Sequence, residues 1–238
     1  MLEEHTICSP TTGYCRKVWY LPGVTGDPVR IGLFLDGEFY VDRMEAPAVL
    51  QRLQAEGKLP PMVCVFVSHL DGAARHIDLT CNPRYTDFLV GDVLAWMRER
   101  HPELLTGGHL VAGISLSGLA AAHTALNHPT IFAQCLAHSG SFWWNQEWLL
   151  AQLSEAQPSK LAWWLSVGCK ETEAGISHPP SGLQQEVTQI AACERFARAL
   201  RTRNHTVHFH QYDGGHEIEP WKAELPEALT RLAKNEIK

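Results

Sequence analysis

The 238-residue chain lacks any CxxC pair. Its seven cysteines (Cys8, Cys15, Cys64, Cys81, Cys135, Cys169, Cys193) are odd in number and widely spaced. That spacing fits no zinc ribbon and no thioredoxin-like motif, so free, mostly buried thiols are expected, with Cys64 and Cys193 as core filler. Long apolar runs are also missing. Met62 to Val67 is among the longest, far short of the roughly 18 residues a membrane span needs. The start, Met1-Leu2-Glu3-Glu4-His5, has neither the basic segment nor the apolar stretch of a signal peptide, so the cytoplasm is the expected compartment and no membrane partner is expected. Positive charge is in short supply: 20 Lys plus Arg against 26 Asp plus Glu give a net charge of -6. This is the wrong sign for a phosphate-backbone binder, and nucleic acid is not an expected partner. There is no internal repeat and no low-complexity tract. The composition, 45% hydrophobic and 19% charged, is that of a globular protein, and the length fits one domain over residues 1–238.

Apolar, β-rich runs recur at Lys17–Leu21, Val29–Leu35, Met62–Ser68, His109–Ala112, Phe132–His138, Leu161–Val167 and Thr206–Tyr212. Helical spacing separates them at Ala46–Glu56, Asp87–Glu99, Leu116–Leu126, Glu186–Thr202 and Pro220–Ala233. Alternation of this kind predicts an α/β fold, a mostly parallel central sheet with helices on both faces. Gln157–Lys160 and Gly175–Gly182 read as loops, candidates to border a pocket at one end of the sheet.

The segment Val111-Ala112-Gly113-Ile114-Ser115-Leu116-Ser117-Gly118 runs from a strand pattern straight into an Ala-rich helical one. This is the context of a nucleophile elbow, in which a serine is held exposed on a sharp strand-to-helix turn. The Leu116 amide, at the helix N-terminus, would face a developing oxyanion. The strict G-x-S-x-G pattern has Gly where this chain has Ser117. A bare G-x-S arises by chance about once in a chain of this length, and Gly175-Ile176-Ser177, followed by two prolines, is such a case. A capped Gly-rich turn would also account for the motif alone.

A serine nucleophile needs a base. His216, in Tyr212-Asp213-Gly214-Gly215-His216, follows the last strand pattern, and the order Ser, acid, His is that of α/β-hydrolases. Glu171, three residues beyond Gly168, is the chosen acid, with Glu173 and Asp213 as alternatives. His205, His208 and His210 lack a metal-site spacing, and solvent-facing strand positions account for them, so no metal site is expected.

In order along the chain stand Leu35-Asp36-Gly37-Glu38-Phe39, Leu59-Pro60-Pro61, Arg75-His76-Ile77-Asp78-Leu79-Thr80-Cys81-Asn82, the elbow, Ser139-Gly140-Ser141-Phe142-Trp143-Trp144, and Asp213-Gly214-Gly215-His216 with Trp221. Together these blocks resemble the enterochelin (ferric enterobactin) esterases, within a wider esterase family that includes feruloyl esterases and S-formylglutathione hydrolases. The resemblance implies an α/β-hydrolase that opens the ester or trilactone backbone of an iron-loaded catecholate siderophore and aids intracellular iron release. It needs no cofactor, iron entering only with the substrate. By position, Ser115 matches the nucleophile, His216 the base and Glu171 the acid, and the Gly37–Glu38 turn would supply the second oxyanion amide. Arg75 would lie near the pocket, with Arg84 and Lys170 as further cationic candidates. Trp143, Trp144, Trp148, Trp163 and Trp164 are expected in core and pocket wall; Trp143, Trp144 and Trp221 are the candidate substrate contacts. The additional amino-terminal domain of full-length enterochelin esterases has no counterpart in these residues. A general carboxylesterase would use the same triad, and a non-catalytic siderophore-binding protein is the alternative from another class.

Overall fold

The computed structural model describes residues 1–24, 26–153 and 159–234. Eight strands form one sheet: β1 (Glu3–Cys8), β2 (Cys15–Leu21), β3 (Arg30–Leu35), β4 (Met62–Val67), β5 (His109–Ile114), β6 (Phe132–His138), β7 (Ala162–Gly168) and, as the last, β10 (Thr206–Tyr212), in the spatial order β1-β2-β4-β3-β5-β6-β7-β10. From β4 to β10 every pairing is parallel, whereas β1–β2 and β2–β4 are antiparallel. Residues of β4, β5 and β7 are buried throughout, which is why these strands read as continuous apolar runs: both faces are covered.

Helices α1 (Ala46–Ala55) and α8 (Ile218–Lys234) cover one face, over a core that includes Phe34, Phe66, Trp164 and Leu225. The other face packs against α3 (Pro83–Asp87), α4 (Leu94–Arg100), α5 (Ser115–Asn127), α6 (Trp144–Gln152) and α7 (Gln189–Thr202), around Phe88, Leu119, Phe132, Trp163 and Phe196. The seven expected strands and five expected helices are all present. The Asp87–Glu99 helix is one part of a longer helical run with a π-helical stretch at Phe88–Val93. Among the described residues no helix is long and apolar enough to cross a membrane.

Two expectations are corrected here. Cys8 and Cys15 are not free thiols: they face each other as the last pair of the β1–β2 register and form a disulfide. The hairpin that aligns them was not expected, because β1 is half exposed and carries two glutamates. The other five cysteines are free, and all but Cys169 are buried. The histidines at the last strand are not plain solvent-facing positions: His205 is buried, and His208 and His210 are half-buried beside α8, where His208 stacks on Trp164 at 4.3 Å between ring centres and His210 pairs with Glu224. Of the expected loops, Gly175–Gly182 largely forms a small hairpin of β8 (Ile176–His178) and β9 (Leu183–Gln185). Gln157 and Pro158, within Gln157–Lys160, lie outside the described residues.

Candidate active site

The carboxyl ends of β3, β5, β6, β7 and β10 bring Asp36, Ser115, Ser139, Glu171 and His216 to one edge of the sheet, where doubly wound α/β folds build their sites. Ser115 begins α5 at φ +51°, a left-handed conformation that presents its side chain above the strand ends. This turn demands glycine at 113: a Cβ there would sit 2.1 Å from the Ser117 carbonyl oxygen. Ser117, the departure from the strict motif, braces the elbow. Its Oγ accepts from the Ile114 N–H at 2.9 Å and donates to the Ile114 carbonyl at 2.8 Å.

The hydroxyl of Ser115 lies 2.8 Å from His216 Nε2, and His216 Nδ1 lies 2.6 Å from Glu171 Oε2. A hydroxyl, an imidazole and a carboxylate therefore stand in one hydrogen-bonded line, the arrangement that serine nucleophilic catalysis uses. The acid loop and base loop interlock. Lys170 N–H donates to Gly214 O at 2.9 Å and Cys169 N–H to Tyr212 O at 2.9 Å, while a Cβ at Gly168 would meet Gly214 O at 2.4 Å. Burial pushes the Glu171 carboxyl up, but hydrogen bonds from His216, Ser139 and the Gly168 N–H outweigh it and hold the group below its ordinary value. Of the alternative acids, Asp213 is exposed and pairs with Lys170 at 3.1 Å, and Glu173 lines the cleft mouth.

A cleft of about 450 Å³ opens over Ser115 and His216. Leu116 lines it, as do Trp143, Arg75, Lys170 and the hairpin residues Ile176, His178 and Leu183. Trp143 stacks on His178 with ring centres 5.0 Å apart. Trp144 is not among the lining residues; it packs on Trp148 and the core. Trp221 is buried behind His216, its ring 5.0 Å from that imidazole and its Nε1–H donating to Tyr212 Oη at 2.7 Å, so it backs His216 and does not wall the pocket. Arg84 points elsewhere, to the Thr12 carbonyl. Among the described residues no group of three or more His, Cys, Asp or Glu is arranged to hold a metal ion. Sequence reading missed His178, Gln189 and Ser139 in this site. The Ser139-Gly140-Ser141 block was the available signal for the last of these.

Gly37 and Glu38 do not line the cleft; they follow β3, the sheet neighbour of β5. Their turn is fixed by charge. Asp36, fully buried at φ +60°, accepts from Arg75 Nε at 2.9 Å and Nη2 at 2.6 Å, and His69 Nδ1 lies 3.1 Å from Asp36 and 3.0 Å from Glu38. The two carboxylates push His69 up to about 9, so it is a cation at neutral pH. Burial raises Asp36, yet His69 and Arg75 together hold it below its ordinary value. Arg75→Met strands part of that buried charge. It is expected to lower unfolding stability by about 3–5 kcal/mol, read from urea denaturation; a loss under about 1 kcal/mol would mean that His69 alone neutralises Asp36.

The family model described as "Putative esterase" matches residues 16–232. The chain belongs to this esterase family. The iron(III) enterobactin esterase of Escherichia coli K12 is 28% identical over 227 residues, covering 91% of this chain and 53% of that protein. Among solved structures, the enterobactin esterase of Shigella flexneri, determined in the presence of enterobactin, superposes with a TM-score of 0.84 at 26% identity, covering 98% of this chain and 59% of that one. The siderophore hydrolase of Aspergillus nidulans shares the fold over 99% of this chain and 95% of its own, with a TM-score of 0.73 at 18% identity. This member of the esterase family spans about half the length of the curated relatives it matches.

Proposed function

We propose that this chain is a serine esterase that hydrolyses the ester or trilactone backbone of a catecholate siderophore such as enterobactin, iron-loaded, in the cytoplasm, and so aids iron release. The observation that carries this reading is the hydrogen-bonded Ser115–His216–Glu171 line on the floor of a cleft with an aromatic wall, in a chain of the esterase family. His216 Nε2 takes the Ser115 proton as Oγ attacks the ester carbonyl carbon. The Leu116 amide, at the start of α5 and in the cleft lining, holds the oxyanion. As the tetrahedral intermediate collapses, His216 returns the proton to the leaving alkoxide, which departs as an alcohol. Water, deprotonated by the same nitrogen, then releases the acid and regenerates Ser115.

Residues 1–238 act as one hydrolase unit with no cofactor of their own, the iron arriving as part of the substrate. The stacked Trp143–His178 pair gives the cleft an aromatic wall suited to an aromatic acyl group, and Arg75 and Lys170 place basic side chains at the cleft although the chain carries a net charge of -6. The test is incubation of purified protein with ferric and iron-free enterobactin, products followed by mass, beside Ser115→Ala. Linear trimer, dimer or monomer that disappears in the variant supports the reading. An intact siderophore with a simple aryl ester cleaved leaves an esterase of another substrate class. Tight siderophore binding with no cleavage, unaltered in Ser115→Ala, marks a binding protein.

A further inference from the structure

Three groups besides His216 reach the Glu171 carboxylate. Gly168 N–H donates to Oε1 at 2.7 Å, and the Tyr212 hydroxyl lies 3.1 Å from the same oxygen but closer, 2.9 Å, to the Gly215 carbonyl. Ser139 is different. Its Oγ lies 2.8 Å from Oε1, 2.6 Å from Oε2 and 3.2 Å from His216 Nδ1, so one hydroxyl spans acid and base. Among the described residues, Oε2 hydrogen-bonds only to His216 Nδ1 and this hydroxyl.

The placement of Ser139 is built and not incidental. The residue is fully buried at φ +46°, a left-handed conformation that a serine side chain disfavours. Strain of this kind persists only where the surroundings fix it. Here Ser139 N–H donates to Ser166 O at 2.8 Å, while buried Gln189 donates through Nε2 to Ser139 O at 2.6 Å and Gly140 O at 2.8 Å. Gln189 Oε1 in turn accepts from the indole N–H of Trp143, the cleft wall. A chain of side chains thus runs from the cleft wall, through Gln189, to the backbone of the residue that grips the acid.

We propose that Ser139 is a positioning residue of the triad: its hydroxyl fixes the Glu171 carboxylate in the orientation that accepts the His216 Nδ1 proton, and Gln189, held by Trp143, fixes Ser139. This rests on the esterase reading of the same site. Without the hydroxyl, Oε2 keeps only His216 as a partner and the carboxylate gains freedom to turn away. A carboxylate that has lost a donor is also more basic, so the acid–base pair takes up a proton at higher pH.

The test is steady-state hydrolysis of an aryl ester across pH by Ser139→Gly, which accepts a left-handed backbone. Ser139→Cys keeps the side-chain volume with a much weaker donor and gives the same reading should glycine lower stability. Loss of a hydrogen bond to a charged group predicts a kcat about 10- to 100-fold lower, with KM little changed. The acid limb of the kcat/KM profile is expected to move upward by about one pH unit. A merely structural serine would alter the melting temperature without moving that limb. A kcat within about twofold of wild type with an unmoved limb, in a protein whose turnover Ser115→Ala abolishes, overturns the proposal alone. Turnover that survives Ser115→Ala overturns the esterase reading and the proposal with it.

Discussion

Ser115→Ala is expected to reduce kcat for an aryl ester by about 10⁴- to 10⁶-fold, and His216→Ala by a similar factor. The two groups form one proton path, with Oγ and Nε2 2.8 Å apart, so removing either leaves the other without a task. For that reason the double variant is expected to be no worse than the poorer single one, within about threefold. What survives in each comes from the groups left in place: the Leu116 amide at the start of α5 and the walls of the cleft. Folding is expected to be preserved, because Ser115 is only partly buried and the elbow is braced by Ser117 and Gly113. Active-site titration with an organophosphonate checks the assignment independently: one equivalent on the wild type and none on Ser115→Ala. Normal aryl-ester turnover by Ser115→Ala would sink covalent catalysis at this residue.

The parts of this molecule that the sequence made legible are those where local pattern and tertiary role agree. Strands β4 to β7 are buried on both faces, so their apolar runs had one reading. Ser115 and His216 lie where a strand pattern gives way to glycine and then to helix, a conjunction that only a turn at the sheet edge satisfies. Other features depend on register and distance. That Cys8 faces Cys15 follows from how β1 pairs with β2, and β1 alternates exposed and buried residues too weakly to announce itself. His208 and His210 alternate with Val207 and Phe209 in the manner of a strand with one wet face, but α8 returns beside that face and leaves both half-buried. Trp221 stands one residue after a proline in the last helix; nothing local distinguishes a residue that walls a pocket from one that backs a histidine. Ser139 is harder still, since its role lies in a contact 32 residues away in the chain.

Coupling between loops explains why the site tolerates so open a base. The His216 side chain is 44% exposed, whereas its partner Glu171 is 5% exposed. The imidazole therefore owes its orientation to the buried side of the pair, through the carboxylate, Trp221 and the backbone links from 169 and 170 to the 212–214 loop. An exposed edge admits the substrate ester to Nε2, and a buried edge fixes Nδ1.

The second large effect is at that buried edge. Glu171→Gln keeps the shape of the side chain but turns one acceptor into an N–H₂ donor, and Gly168 N–H, Ser139 Oγ and His216 Nδ1 all compete for the single oxygen left. His216 is then no longer held with its proton on Nδ1, and a fall in kcat of about 10³- to 10⁴-fold is expected, smaller than for Ser115→Ala. Stability as a function of pH provides a second readout. The folded-state carboxyl lies below its ordinary value of 4.5, so its contribution is present above that pH and disappears as pH falls through the folded value. The wild type is therefore expected to lose more stability than Glu171→Gln between about pH 6 and pH 3, measured as the shift in urea midpoint. Glu173→Gln and Asp213→Asn are expected to keep kcat within about twofold, because neither carboxylate hydrogen-bonds to the imidazole. If Asp213→Asn were instead the variant with the lost activity, the exposed Lys170 pair would have to open in the working enzyme and the acid would be Asp213. A Glu171→Gln protein with kcat within tenfold of wild type would show that Ser115 and His216 work as a dyad, with the buried carboxylate serving the fold alone.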